Sequence, residues 1–572
     1  MTEMLTITSE RVDDIPLLLA HMRRMDLPML LESYFLIHGN RQGLGFGWTT
    51  TIWLAHILSQ ADHRMNQVQP WVERQLQTLR IGTGQPVQAL DVTDDRLADV
   101  LRTLSDDTCW INFERRLTGT LVRVYDLQLT RVRLDSTTAS GYWEVGEDGL
   151  FQFGHSKDRR PDLPQLKVML ATLDPLGLPI ATDVLSGECA DDPLYLPAIA
   201  RVRASVGRRG LLYVGDCKMS AFDTRAGVQA ASDFYLCPLS AVQVPAALLA
   251  QFLSEAWASG PAQLVEREKA DGTLEPIADA YEHSATLTAV VNTWPQRWVE
   301  RHVLVRSHAQ ARRAEETLRR RLTQAQAALD EVLVRRRGKA CPKDQAGAQL
   351  LVDTILARFQ VADLLQVTVA EQLTLKRVRA YRDRPAGVRE QRTLTISHTV
   401  DPLALASALA HLGWRVYATN MPLEQLSVAQ VVLAYREEYL VERSLGRLKG
   451  QPLSLSPMYV ERSDHATGLI RLLAIALRVL TLLEFVVRRR LAQDGEMLAG
   501  LHAGNPKRAT ARPTTERLLE AFGGITLTIL VEPDRIRRHL TTLSALQQRI
   551  LALLDFSPTI YTDLSGDSAQ PP

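Results

Sequence analysis

At residue 126 the hydrophobic pattern stops repeating every three to four residues and begins to alternate, and that switch leaves few architectures open. LQLTRVRLDST (127–137) sets Leu127 and Leu129, then Val132 and Leu134, against Arg131 and Arg133, and Asp135 closes the alternation. QLKVMLATL and LPIATDVLS are two more strand-like runs, joined by DPLG at 174–177, a composition suited to a hairpin turn. PLYLPAIARVRASVG reads as a helix stopped by Gly207, and GLLYVGD as a short, nearly all-apolar strand that ends on Asp216. A helix over about Ala221–Ala231 and a strand in DFYLCPL complete the run.

Three strands, helix, strand, helix, strand is the order of a ribonuclease-H-like α/β sheet, with three antiparallel strands followed by parallel ones behind helices. In such a sheet the first and fourth strands are neighbours. Asp135 and Asp216, 81 residues apart in the chain, are then expected side by side.

The flanking segments read differently. With 572 residues the chain exceeds one core, and about 150 residues per domain suggests three or four. Residues 1–125 carry the three- and four-residue spacing of a helical N-terminal domain, a candidate DNA-binding module. Residues 126–240 are the first part of the catalytic core. Residues 241–425 mix strand-like pieces with a long helical run and read as an insertion domain. Residues 426–490 return to the core, and 491–572 form a helical tail. The most apolar window, Leu469–Val487, holds Arg471, Arg478 and Glu484, which argues for a helix buried in protein and against a membrane span. The acidic start MTEMLTITSERVDD is no signal peptide, and five scattered cysteines without a CxxC pair fit a reducing, cytoplasmic setting. Net charge is +1, so any affinity for nucleic acid must come from local patches.

A helix is expected over Ser427–Lys449. On it Tyr435, Glu442 and Lys449 recur at sevens, and a straight helix drifts only about 20° per seven residues, so the three share a stripe. Glu437 points roughly to the far side and Glu438 about 60° off the stripe. A face carrying tyrosine, glutamate and lysine suits a site that handles phosphate. Carboxylates from two strand ends and one helix are what two-metal phosphoryl transfer needs, with hard oxygen ligands holding two Mg²⁺ or Mn²⁺ ions roughly 4 Å apart. Each acid alone is ordinary; their joint order is specific.

The segments RLDSTTASGYWE, GHSKDRRPDLPQLKVML, LSGECADDPLYLPAI, LLYVGDCKMSAFDTRA, DFYLCPL and YREEYLVERSLGRLK resemble the DDE insertion-sequence transposases of bacteria, in the branch with a large insertion domain and a Y-E-K signature. The resemblance spans about 131–449, and RPTTERLLEAFGGITLTI and LSALQQRILALL extend it into the tail. It implies Asp135, Asp216 and Glu442 as the catalytic, metal-binding acids, and Tyr435 and Lys449 as contacts to the terminal phosphate of the element. Where many relatives have arginine three residues after the tyrosine, this chain has Glu438. The activity implied is cut-and-paste excision and strand transfer, on terminal inverted repeats and target DNA, by a homodimer assembled on DNA. The rivals are a metal-dependent nuclease on the same fold and an inactive or domesticated DNA-binding relative.

Other DNA contacts follow from charge. Arg297–Lys339 holds twelve Lys/Arg against five Asp/Glu, and LKRVRAYRDRP (375–385) adds more. Such patches supply salt-sensitive affinity for phosphates, although arginines paired with Glu315, Glu316, Asp330 and Glu331 would leave only a solvated helix. Trp298, close to Trp294, is either a platform for an extruded base or a core residue. His155 and Lys157 in GHSKD either contact DNA phosphates beside the metal site or shape a turn in the sheet.

Overall fold

The computed structural model describes residues 6–35, 43–157, 159–269, 272–334, 341–379, 387–532 and 535–569. A strand, β1 (Thr6–Arg11), precedes the helices that run from Ile15–Arg24 to Asp107–Tyr125. Then β2 (Arg131–Ser140), β3 (Gln165–Leu173) and β4 (Leu178–Ser186) form an antiparallel meander. Helix Tyr195–Val206 leads to β5 (Leu212–Val214), and helix Phe222–Ala230 leads to β6 (Phe234–Pro238). Both strands lie parallel to β2, giving the order β4-β3-β2-β5-β6. The first and fourth strands of the alternating region are therefore neighbours, as the pattern predicted. Every residue of β3 is buried, since the sheet is covered on both faces, which explains why its apolar run Val168–Ala171 does not alternate.

The sheet does not stop at β6. Strands β7 (Gln263–Glu268), β8 (Leu274–Val291) and β9 (Trp294–Ser307) come next in the chain. The ribbon of β10 (Leu365–Val378) and β11 (Gly387–Val400) follows, and then β12 (Trp414–Thr419). Strands β12, β9, β8 and β7 extend the sheet in that order to nine strands. Helices His308–Asp330 and Gln345–Phe359 with the base of the β10–β11 ribbon make a separate small core around Leu318, Leu322, Val352 and Val369.

Helix Ser463–Asp494 is apolar on all sides over most of its length, so it is buried on all sides. It packs on β4 and on the N-terminal helices. Its charges are matched inside. Arg478 donates to Pro179 O at 2.9 Å and to Glu114 Oε1 at 2.5 Å, while Glu484 accepts from Arg447 at 2.6 Å and pairs with Arg488 at 2.7 Å. Among the described residues no helix is long and apolar enough to cross a membrane.

The C-terminal segment departs from the helical tail expected of it. Strands β13 (Thr526–Val531), β14 (Arg535–Leu540) and β15 (Gly566–Ala569) form a four-stranded antiparallel sheet with β1, in the order β1-β13-β14-β15. The signal is period two: buried Leu527 and Ile529 alternate with half-exposed Thr526, Thr528 and Leu530. Among the described residues beyond Asp494, helix is found at Thr515–Glu520, Ala545–Leu553 and Thr559–Thr562.

Candidate active site

Parallel pairing puts Arg131 opposite Leu212 and Arg133 opposite Val214. Asp135 and Asp216 each lie two residues beyond that last pair, so the two carboxylates leave neighbouring strands at the same level. Gly215 makes room for what surrounds Asp216: a Cβ there would come within 2.6 Å of the Met219 sulfur and 3.1 Å of the Tyr195 ring. Tyr195, on the first turn of its helix, donates its hydroxyl to Asp216 Oδ1 at 2.6 Å, and the Lys218 N–H donates to the same oxygen at 2.9 Å. Burial, then the Asp216 charge, pushes the Tyr195 phenol well above its ordinary value, so it stays a donor.

Asp135 accepts from the Ser136 N–H at 2.7 Å and lies 3.6 Å from Lys157 Nζ. Lys157 also donates to the Ser136 carbonyl and, at 2.8 Å, to its hydroxyl. Behind them Lys167 holds Asp191 at 2.8 Å, and the Ser136 hydroxyl reaches the same carboxylate at 3.3 Å. The Asp135 carboxyl is pushed up to about 6, first by burial and further by Asp216, against the opposing pull of Lys157.

The third element is where the expected geometry changes. The single helix over 427–449 is two helices, Val428–Arg436 and Tyr439–Lys449, broken at Glu437 and Glu438. The break is tied to β2: Arg131 pairs with Glu437 at 2.6 Å, and Arg133 donates to the Ala434 carbonyl. Within it Glu438 N–H bonds to Tyr435 O and Leu440 N–H to Glu437 O, a tightened turn that resets the helical phase. Tyr435, Glu442 and Lys449 thus do not share one straight stripe.

Tyr435 is buried, its ring 4.5 Å from that of Tyr417, and with Asp216 and Cys217 it lines a cavity of about 410 Å³. Glu442 is exposed on the first turn of the second helix, and Lys449 is half-buried at that helix's last turn. Glu438 is half-buried and feels the charges of Glu442, Asp135 and Asp216; burial foremost, then Glu442, raises its carboxyl above the ordinary value. Among the described residues no three metal-ligating side chains are gathered closely enough to hold an ion as they stand. The paired strand acids suit a hard divalent cation by donor type, and the helix acids are at hand without completing the set.

His155 is exposed, and its backbone carbonyl accepts from Gln165 at 3.2 Å. Trp298 lies in the interior, 6% exposed, donating its indole N–H to Tyr235 OH at 2.9 Å with Phe222 beside it. This corrects the base-stacking reading of Trp298: a ring packed between strand and helix is not presented to a nucleotide, and on this hairpin it is Trp294, 71% exposed, that faces outward.

Several supporting residues escape sequence reasoning. Tyr195 reads as one more apolar residue of its helix. Lys167 carried a signal, a lone lysine in an otherwise buried strand. Glu300 on β9 accepts from Arg225, Tyr235 and His302, and Arg225 in turn donates to Ser220 O at 3.0 Å, closing the loop that follows Asp216. Of the cations counted in 297–339, Arg301 pairs with Glu282 and Arg306 bonds to the carbonyls of Leu409 and Leu412, so these two serve the fold. Residues 335–340 lie outside the described residues.

No family model matches the chain, and no curated protein matches its sequence. A cryo-EM structure of the piggyBac transposase synaptic complex with hairpin DNA is similar at a TM-score of 0.32 and 8% identity, over 96% of this chain and 83% of that chain. A likeness so loose fixes neither fold nor activity.

Proposed function

We propose that this chain is a DNA transposase of the DDE type, built on a ribonuclease-H-like core, that excises and inserts a mobile element by metal-dependent phosphoryl transfer. The observation that carries the reading is the register of β2 and β5, which brings Asp135 and Asp216 out side by side within motifs that resemble bacterial insertion-sequence transposases. Glu442 is the third acid on this reading. Mg²⁺ or Mn²⁺ ions, when bound, would supply the Lewis-acid activation of an attacking hydroxyl and the stabilisation of the leaving oxygen.

The chain's own residues then have definable tasks. Tyr195 and the Lys218 N–H fix one oxygen of Asp216, leaving the other free to ligate. Lys157 offsets the charge of Asp135 and offers a cation to a phosphate oxygen. Tyr435 and Lys449 are the expected contacts to the element's terminal phosphate. One observation favours a second reading, a relative that binds DNA without cutting it: the third carboxylate is not gathered with the first two, and Glu438 stands where the resemblance predicts arginine.

The deciding experiment incubates the purified chain with Mg²⁺ or Mn²⁺ and DNA bearing the inverted repeats that flank its gene. Cleavage followed by joining supports a transposase, cleavage without joining a nuclease, and binding alone the inactive relative. Asp216→Ala is expected to abolish cleavage while leaving end binding largely intact. Normal cutting by that variant refutes the assignment.

A further inference from the structure

The β10–β11 ribbon has two halves of different character. Near its base Leu365 and Val369, with their cross-strand partners Val400 and Ile396, pack into the small core beneath. Beyond Glu371 the ribbon overhangs that core, and Gln372–Arg379 and Gly387–Thr393 are exposed without exception. The connection between the strands lies outside the described residues.

A two-stranded ribbon standing alone is marginal in water. This one carries features that make it less stable still. Its overhang holds Lys376, Arg377, Arg379, Arg389 and Arg392 against a single acid, Glu390. Arg392 is paired with Glu371 at 3.2 Å, but among the described residues Lys376, Arg377, Arg379 and Arg389 have no carboxylate partner. Lys376 stands directly opposite Arg389 across the ribbon, and like charges so placed are destabilising. On the other face, which also carries Arg377 and Arg379, Leu373, Leu375 and Val388 are 53%, 72% and 64% exposed. Four cations without a carboxylate partner among the described residues, and apolar side chains without cover, on the half of the ribbon that overhangs the core, call for an external polyanion.

We propose that the overhanging half of this ribbon is an arm that enters the groove of duplex DNA. Lys376, Arg377, Arg379 and Arg389 neutralise backbone phosphates, and the leucines turn toward the base edges. The dimensions suit this partner. The B-DNA major groove is about 12 Å wide and admits a two-stranded ribbon. An overhang of eight residues, Gln372–Arg379, reaches about 25 Å. A-form RNA, whose major groove is deep and narrow, does not accept such an arm. The arm lies on the small core and not on the Asp135–Asp216 pair, so the proposal stands whether or not the chain cuts DNA.

The test uses the full chain in EDTA, which removes cleavage from the measurement, and a labelled duplex of arbitrary sequence titrated across a series of KCl concentrations. Replacing Lys376, Arg377, Arg379 and Arg389 by serine is expected to make the log–log salt slope less negative by about 3 to 4 and to weaken binding at moderate salt at least about tenfold. Arg377→Lys, Arg379→Lys and Arg389→Lys together keep the charge and are expected to keep the slope; they also carry the test should the serine variant fold poorly. Duplex RNA of equal length is expected to compete weakly. An unchanged slope in the serine variant overturns the proposal, as does equal competition by duplex RNA. So does conversion of an oligomer to a monomer by Leu373→Ser with Leu375→Ser at unchanged DNA affinity, which would make the face a contact between copies. Failure here leaves the carboxylate reading intact, and normal cutting by Asp216→Ala would leave the arm intact.

Discussion

Acidifying a metal titration from about pH 8 to about pH 5 probes the pairing of Asp135 with Asp216. Burial, with Asp216 adding to it and Lys157 opposing, holds the Asp135 carboxyl up at about 6. A carboxylate must lose its proton to ligate, so the competent form is fully present well above that value and is lost as pH falls through it. At about pH 5 such a group is roughly nine-tenths protonated, and Mn²⁺ affinity should fall about tenfold from its value near neutrality. An aspartate at the ordinary value of about 3.8 would lose almost nothing over the same range. Lys157→Met sharpens the test. Its ammonium lies 3.6 Å from Asp135 Oδ1, with both side chains roughly a quarter to a third exposed, so after solvent screening the contact contributes about 1 kcal/mol. Losing it should move the midpoint upward by somewhat under one pH unit. Free Mn²⁺ is read by electron paramagnetic resonance, with Asp135→Asn as the control. An affinity that stays flat down to about pH 5, or one that falls identically in Asp135→Asn, would show that Asp135 does not govern metal binding.

Two further outcomes follow from the packing around the pair. Glu300→Gln weakens the hold on Arg225, whose bond to Ser220 O closes the loop after Asp216, so Mn²⁺ affinity should drop several-fold while binding to duplex DNA stays close to wild type; a parallel loss of both would make Glu300 merely structural. Trp298→Ala removes a buried ring and its bond to Tyr235, a loss of about 3 to 5 kcal/mol visible as a lowered melting temperature, whereas Trp294→Ala, at an exposed position, should melt with the wild type.

How much of this was legible in the sequence depends on how local the signal was. The strands β2 to β6 announced themselves because each is short, apolar or alternating, and bounded by turn residues, and the connection rules then left β5 as the second neighbour of β2, beside β3. That β7, β8, β9 and β12 extend the same sheet was not legible: pairing of β12 with β6 across some 180 residues, as in Ala418 with Cys237, leaves no periodic trace, and a half-exposed strand such as β8 alternates the same way in any sheet. Charge counts misled for a related reason. Arg301 and Arg306 add to a basic total in sequence, but they point into carbonyls and Glu282, where they neutralise and cap and do not greet phosphate. The ribbon cations at 376–389 look no different in sequence, and only the overhang separates them.

The helix carrying Glu442 shows the limit most clearly. Spacing by sevens selects a stripe only if the helix is straight, and straightness here is decided by Arg131 and Arg133, some 300 residues earlier, which bind Glu437 and the Ala434 carbonyl and break the helix between them. The break also determines what Glu438 means. An arginine at that position would offset the charges of Asp135, Asp216 and Glu442; a half-buried glutamate adds to them, and its proton affinity is raised by burial first and then by the repulsion of Glu442. With Lys157 as the ammonium beside Asp135, the cluster remains strongly negative. Under the metal-dependent reading, divalent cations gain more from entering such a cluster than from entering one already carrying an arginine. Glu438 would then favour ion loading, and the hold on a terminal phosphate would fall to Tyr435 and Lys449.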